Sequence, residues 1–157
     1  MKKLIFSLFI VALFFSCVKV ENNEIKLNNG IKRNSEIDDI AFIIDLNVNN
    51  NTSEDLDGFI KEITENVINT EDFCIEYAYY VSSDRKSVTL YEKYINSDSG
   101  IKHGQNFMES KFFDRFFNLF TIENFVVIGP ASDEFKKFTS DNGFVIDYRE
   151  SSDGFVR

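Results

Sequence analysis

One histidine, His103, stands in the whole chain. An imidazole titrates near pH 6.5 when nothing perturbs it, so it can accept a proton at neutral pH. Glu92 lies in the alternating run Val88, Leu90, Glu92, Tyr94, which puts a carboxylate among apolar neighbours. That placement is costly unless the charge is paired. Glu92 could orient His103 and support its cationic form, or it could meet a lysine or arginine in an ordinary ion pair. Asn106 follows His103 by three residues, hence lies on the same side of a helix. Its amide could hold a developing oxyanion or peroxy group, or it could face solvent. Tyr94 and Tyr77 could hydrogen-bond a ring oxygen while stacking on the ring, or simply pack in a core rich in phenylalanine. His103 itself has a plainer alternative, in which it only bonds a carboxylate or caps a helix start. The chemistry these types permit is proton abstraction from a weakly acidic guest. One histidine and scattered acids do not make a metal ligand set. The chain has no glycine-rich phosphate loop and no G-x-S-x-G elbow.

These residues need elements to hold them. Ala41–Val48 is β-branched and aromatic and predicts a first strand. Thr52 or Ser53 can cap the helix that follows, whose apolar stripe is Leu56, Phe59, Ile60, Ile63 and Val67, ending near Asn69. Phe73–Val81 and Ser87–Ile95 pair as a hairpin around Ser82–Lys86. Strict alternation in the first of these puts Phe73, Ile75, Tyr77 and Tyr79 on one face. A second helix opens at Asn96 and runs through His103 and Phe107 toward Phe120, with Gly100 and Gly104 weakening its start. Thr121–Ile128 is the fourth strand, and Gly129-Pro130 ends it. Ser132 or Asp133 then caps a short helix, and Phe144–Tyr148 predicts a last strand. The order β-α-β-β-α-β with a helix–strand appendix is the α+β, ferredoxin-like arrangement, helices on one face of an antiparallel sheet. The other face is then expected to be open and apolar, which favours a homodimer.

The 157 residues carry a net charge of −9; Lys2 and Lys3 account for +2 of the total, leaving −11 on residues 17–157. So acidic a body does not bind nucleic acid through its phosphates. It is also repelled by anionic lipid, so membrane attachment needs another device. The amino terminus offers one. Two lysines precede an uncharged run, Leu4–Phe15, that is too short to span a bilayer but has the form of a secretory signal. Phe14-Phe15-Ser16-Cys17 resembles the lipobox of bacterial lipoproteins, with Phe14 where leucine is usual. The reading is a signal peptide over 1–16, a lipidated Cys17 and tether over 17–40, a domain over 41–148 and a tail over 149–157. Two or more acyl chains on Cys17 would anchor the protein to a membrane of the cell envelope after export. The alternative is plain cleavage near Ser16, which leaves Cys17 as a free thiol able to pair with Cys74. Part of 18–40 could instead pack as a strand or helix on the domain edge.

The segment Tyr91-Glu92-Lys93-Tyr94, then His103 and Asn106, resembles the E-x-[YW]…H signature of the antibiotic biosynthesis monooxygenase family. Gly129-Pro130-Ala131-Ser132-Asp133-Glu134, with Gly143 beyond, is similar to the tail of its quinol monooxygenase-like branch. Glu71…Cys74…Tyr77 matches a third piece, usually E-P-G-C-x-x-Y; Asp72-Phe73 replace the Pro-Gly here. The likeness spans roughly residues 40–148. It implies a small dimer with a pocket between sheet and helices, and a cofactor-free oxidation of quinols or related electron-rich aromatics by O₂, without flavin or metal. Haem-degrading relatives use an Asn-Trp-His set, and this chain has no tryptophan. On this resemblance His103 and Glu92 are the catalytic candidates, and Tyr94, Asn106 and Tyr77 the substrate-binding ones. The competing readings are a non-catalytic lipoprotein that binds a hydrophobic small molecule in the same fold, and a purely structural envelope protein.

Overall fold

The computed structural model describes residues 30–50 and 52–157. The leader, Cys17 and the tether before Gly30 lie outside the described residues. In chain order the elements are β1 (Lys32–Arg33), β2 (Ile40–Val48), α1 (Leu56–Thr70), β3 (Cys74–Val81), β4 (Ser87–Tyr94), α2 (Ser97–Glu109), α3 (Phe113–Leu119), β5 (Phe120–Ile128), α4 (Asp133–Asp141), β6 (Asp147–Arg149) and β7 (Phe155–Val156). The main sheet has the order β3-β4-β2-β5-β6. Its first four strands are antiparallel and β6 adds in parallel to β5. This is the ferredoxin-like arrangement with one strand appended.

Alternation makes β2 the spine. Phe42, Ile44 and Leu46 face the helices, opposite Glu92, Leu90 and Val88 of β4 on one side and Val127, Phe125 and Ile122 of β5 on the other. Phe59, Ile63 and Val67 of α1 and Phe112, Phe116 and Leu119 close the core over that face. The opposite face is more mixed than expected. Ala41 and Val126 are buried there, but Asp45, Thr89, Lys93 and Glu76 share it. Its upper end borders a cleft of about 370 Å³, whose other wall includes Asn34, Ser151, Asp153 and Val156. β1 and β7 pair there as a two-stranded ribbon, so Lys32–Arg33 form a strand against the C-terminal Phe155–Val156.

Four local readings change. Asp55, not Thr52 or Ser53, caps α1, its carboxylate accepting the Gly58 N–H at 2.8 Å. The long second helix breaks at Ser110, which is extended; its hydroxyl donates to the Phe107 carbonyl at 2.8 Å and accepts from the Phe112 N–H at 3.1 Å. A serine that can bond nearby backbone competes with the helical ladder. In β3 a bulge at Ile75 brings Cys74 opposite Tyr94 and Tyr77 opposite Glu92. Cys74, Tyr77 and Tyr79 therefore share the inner face, and Ile75 is turned out, as an extra residue in one strand requires. The strand read over Phe144–Tyr148 is only Asp147–Arg149 (β6), because Phe144 is still tied to the end of α4 by its N–H to the Thr139 carbonyl.

Candidate active site

Glu92 projects inward from the middle of β4, 3% exposed. Across from it α2 presents His103, 8% exposed. Asn96 starts that helix by accepting the Ser99 N–H at 2.9 Å, which sets the turn at which His103 faces the sheet. The imidazole stands between two carboxylates. Its Nδ1–H donates to Glu71 Oε2 at 2.8 Å, and Nε2 lies 3.6 Å from Glu92 Oε2. Tyr94, fully buried beside Glu92, donates its hydroxyl to Glu92 Oε2 at 2.9 Å. Asn106, one turn after His103, donates its amide to Glu71 Oε1 at 3.1 Å. Tyr77 packs 6.1 Å from the imidazole between ring centroids, and its hydroxyl is hydrogen-bonded to that of Tyr79 at 3.0 Å.

All five residues singled out from the sequence thus meet in one place, but their parts are distributed differently. Glu71, not Glu92, makes the hydrogen bond that fixes the imidazole. It ends α1, and its carbonyl accepts the Cys74 N–H at 3.0 Å, which closes the turn without Pro-Gly. Phe73, the residue in place of glycine, is buried under the Lys102 ammonium, 4.4 Å from its ring centre. Sequence reasoning gave Glu71 no role. The available signal was its place at a helix C-terminus, where the negative end of the dipole disfavours an acid.

Each of the three ionisable groups is displaced, for separate reasons. Burial works against the His103 cation, yet the charge of Glu92 and the hydrogen bond to Glu71 outweigh it and hold His103 above the usual histidine value. Burial also opposes the Glu71 carboxylate, but the hydrogen bonds from His103 and Asn106 bring it below the usual range. For Glu92 burial prevails over His103 and Tyr94, and its carboxyl is pushed up. Cys74, half-buried nearby, is pushed up to about 12, first by burial and then by the charges of Glu92 and Glu71, so it stays a thiol. Among the described residues no group of three or more His, Cys, Asp or Glu is arranged to hold a metal ion.

A cavity of about 60 Å³ opens in front of His103 and Glu92. Tyr77, Phe42, Leu90 and Phe107 line it near the acid–base pair; Phe117, Phe125, Phe138 and Phe144 line it toward β5 and α4. Tyr94 and Asn106 are not part of its wall; they act on the two carboxylates instead. A smaller hollow of about 20 Å³ lies on the Glu71 side of the imidazole, bordered by Asn66, Asn106 and Ser110. Gly100 and Gly104 explain themselves here. A Cβ at Gly100 would come 2.9 Å from Ile40 Cδ1 and 3.0 Å from the Phe135 ring, and one at Gly104 would come 2.8 Å from the Phe138 ring. Their absence of side chain lets α4 close over the cavity.

Comparison with protein-family models and with curated protein sequences gives no match. Solved structures give a likeness of fold. MupZ from Pseudomonas fluorescens is 18% identical, with 76% of this chain and 94% of that one aligned at a TM-score of 0.62. A conserved protein of unknown function from Bacteroides thetaiotaomicron VPI-5482, described as a possible oxidoreductase, is 19% identical over 59% of this chain and 98% of its own, at a TM-score of 0.50. A candidate antibiotic biosynthesis monooxygenase from Caulobacter crescentus CB15 also aligns, at 15% identity over 61% of this chain and 92% of its own, with a TM-score of 0.45. At such identities the likeness is one of fold.

Proposed function

We propose that the protein is a cofactor-independent monooxygenase that oxidises a quinol-like aromatic with O₂. The observation that carries this reading is the orientation of His103: Glu71 fixes the proton on Nδ1, so a neutral ring turns its Nε2 lone pair toward Glu92 and the apolar cavity. Nε2 takes a hydroxyl proton from the quinol. The quinolate passes one electron to O₂, and the superoxide and semiquinone so formed recombine at a ring carbon. Protonation of the peroxide by His103, loss of that carbon's proton and departure of the outer oxygen as water leave a new carbonyl. Quinol plus O₂ thus gives hydroxyquinone plus water, with one oxygen atom in each product. A Phe-lined cavity excludes bulk water from the anion, and the imidazolium is the nearby charge that stabilises it.

Oxygen uptake with a panel of reduced quinones tests this. The wild type is expected to consume O₂ above background, and His103→Ala to lose about 10²–10⁴ of the rate. A chain that consumes none, or an unaffected variant, overturns the reading. One observation favours a second reading, a binding protein for a hydrophobic small molecule: two carboxylates favour the imidazolium, which is no base until it loses its proton. Ring binding without oxygen uptake would decide for it. The same proposal places the protein in the cell envelope, exported and lipid-anchored through Cys17, and working as a homodimer through the open sheet face. Palmitate incorporation lost in Cys17→Ala tests the anchor, and sedimentation the dimer. Among the described residues no helix is long and apolar enough to cross a membrane.

A further inference from the structure

We infer that the substrate's ring carries an uncharged aliphatic tail, and that the tail lies in a groove between α3, β5 and the loop 142–147. The inference rests on the oxygenase reading for the identity of the ring, not for the groove. The acid–base pair stands at the β3–β4 end of the inner cavity, while its opposite end is walled by Phe117, Ile122, Phe125 and Phe144. Those same four side chains line a second space of about 720 Å³ outside. The inner cavity, about 60 Å³, is smaller than the ~150 Å³ that accommodates benzene in a protein core. A ring therefore enters only as part of that wall turns outward. Phe117, at 39% exposed, is placed to do so, and movement there joins the two spaces.

The outer space has the surface of a tail site. Phe113, Phe117, Val145 and Ile146 line it, and Val145 is 92% exposed. An apolar side chain so bared gains from being covered by an apolar ligand. Charge narrows the class further. The charged groups on the groove wall are Glu123 and Asp147, the latter paired with the Arg149 guanidinium at 2.8 Å, and no lysine or arginine among the described residues lines either space. A fatty acid, a phosphate ester or a coenzyme A conjugate would meet the Glu123 carboxylate there and no cation that is not already paired with Asp147. A neutral hydrocarbon substituent meets no such penalty, and each fully buried methylene tightens binding about four-fold.

The test compares one benzoquinone ring with the same ring bearing a pentyl chain and with a chain of equal length ending in carboxylate. Binding to the full-length protein is measured by calorimetry, with oxygen uptake by the reduced forms alongside. The pentyl ring is expected to bind at least about 20-fold more tightly than the bare ring. The carboxylate is expected to erase that advantage, and Val145→Asp to cut it at least about five-fold. Equal binding of pentyl and bare rings overturns the inference. So does a Val145→Asp protein that keeps the ratio but sediments as a smaller species, which would assign the groove to a second copy of the chain. Pentyl preference without oxygen uptake supports the groove and overturns the oxygenase; binding of neither ring overturns both.

Discussion

Glu71 does two jobs with one residue: its carbonyl closes the α1–β3 turn and its carboxylate fixes the imidazole. Because His103 is held above its ordinary value, a rate that needs the neutral ring rises with pH, with a midpoint above about 6.5. Glu92→Gln removes a charge that raises His103, so the midpoint of the pH–rate profile is expected to move down; an unmoved midpoint would dissociate the two groups. Glu71→Gln is expected to lower it as well, and Glu71→Ala to cost about 1–3 kcal/mol of stability by leaving a buried ring N–H without its acceptor, as read by chemical denaturation. Stability follows the same shifts. His103, raised in the fold, contributes fully below about pH 6.5 and less as pH climbs through its folded value. Glu71, lowered in the fold, contributes above about pH 4.5, and that is lost as pH falls through its folded value. Glu92, raised in the fold, adds a further loss as pH climbs from about 4.5 through its folded value; denaturation midpoints against pH should therefore fall on both limbs, and the alkaline limb should flatten when His103→Gln is combined with Glu92→Gln. That Glu92 needs a partner was legible in the sequence, because a carboxylate in an apolar alternation must find one; that it lies against His103 rather than a lysine or arginine was left open there. The part of Glu71 was not legible, since 32 positions separate it from His103 and nothing local links them.

At the scale of elements, the inner faces of β2 and β4 could be read from alternation, and α1 from its apolar stripe. Periodicity could not show the extra residue at Ile75, because a bulge changes the count without changing residue types. Nor could it show the break at Ser110, where one hydroxyl outcompetes a helix continuing into apolar residues. The two glycines of α2 separate cleanly. Gly100→Ala is expected to destabilise the fold by about 1–3 kcal/mol, since the new Cβ would press on Ile40, Phe135 and Phe42 inside the core. That exceeds the up to ~1 kcal/mol that alanine returns to a helix. Gly104→Ala meets only the half-buried Phe138 ring, which can yield, so its change in stability should stay near zero. Thermal melts of both variants check the contrast, and equal losses would contradict the packing described for α4.

Across the whole molecule, protection should follow the sheet order. β2 is bonded on both sides and should exchange its amide hydrogens last. The β1–β7 ribbon, held by two residues from each strand and the exposed Arg33–Asp153 pair, should exchange first. Slow exchange at residues 32–36 would mean that the ribbon is clamped on the sheet by more than these contacts. The ferredoxin-like order was readable because each element advertised itself; the ribbon was not, because two-residue strands carry no pattern. The small hollow beyond His103 has a last consequence. It is about 20 Å³, room for a single water, and it touches the imidazole on the side away from the guest. On the proposed chemistry the hydrogen ion lifted from the guest returns to it from the same nitrogen, so this rear niche stays a spectator: it lies beside the Asn106–Glu71 bond, while the one water made per turnover is released on the opposite side of the imidazole.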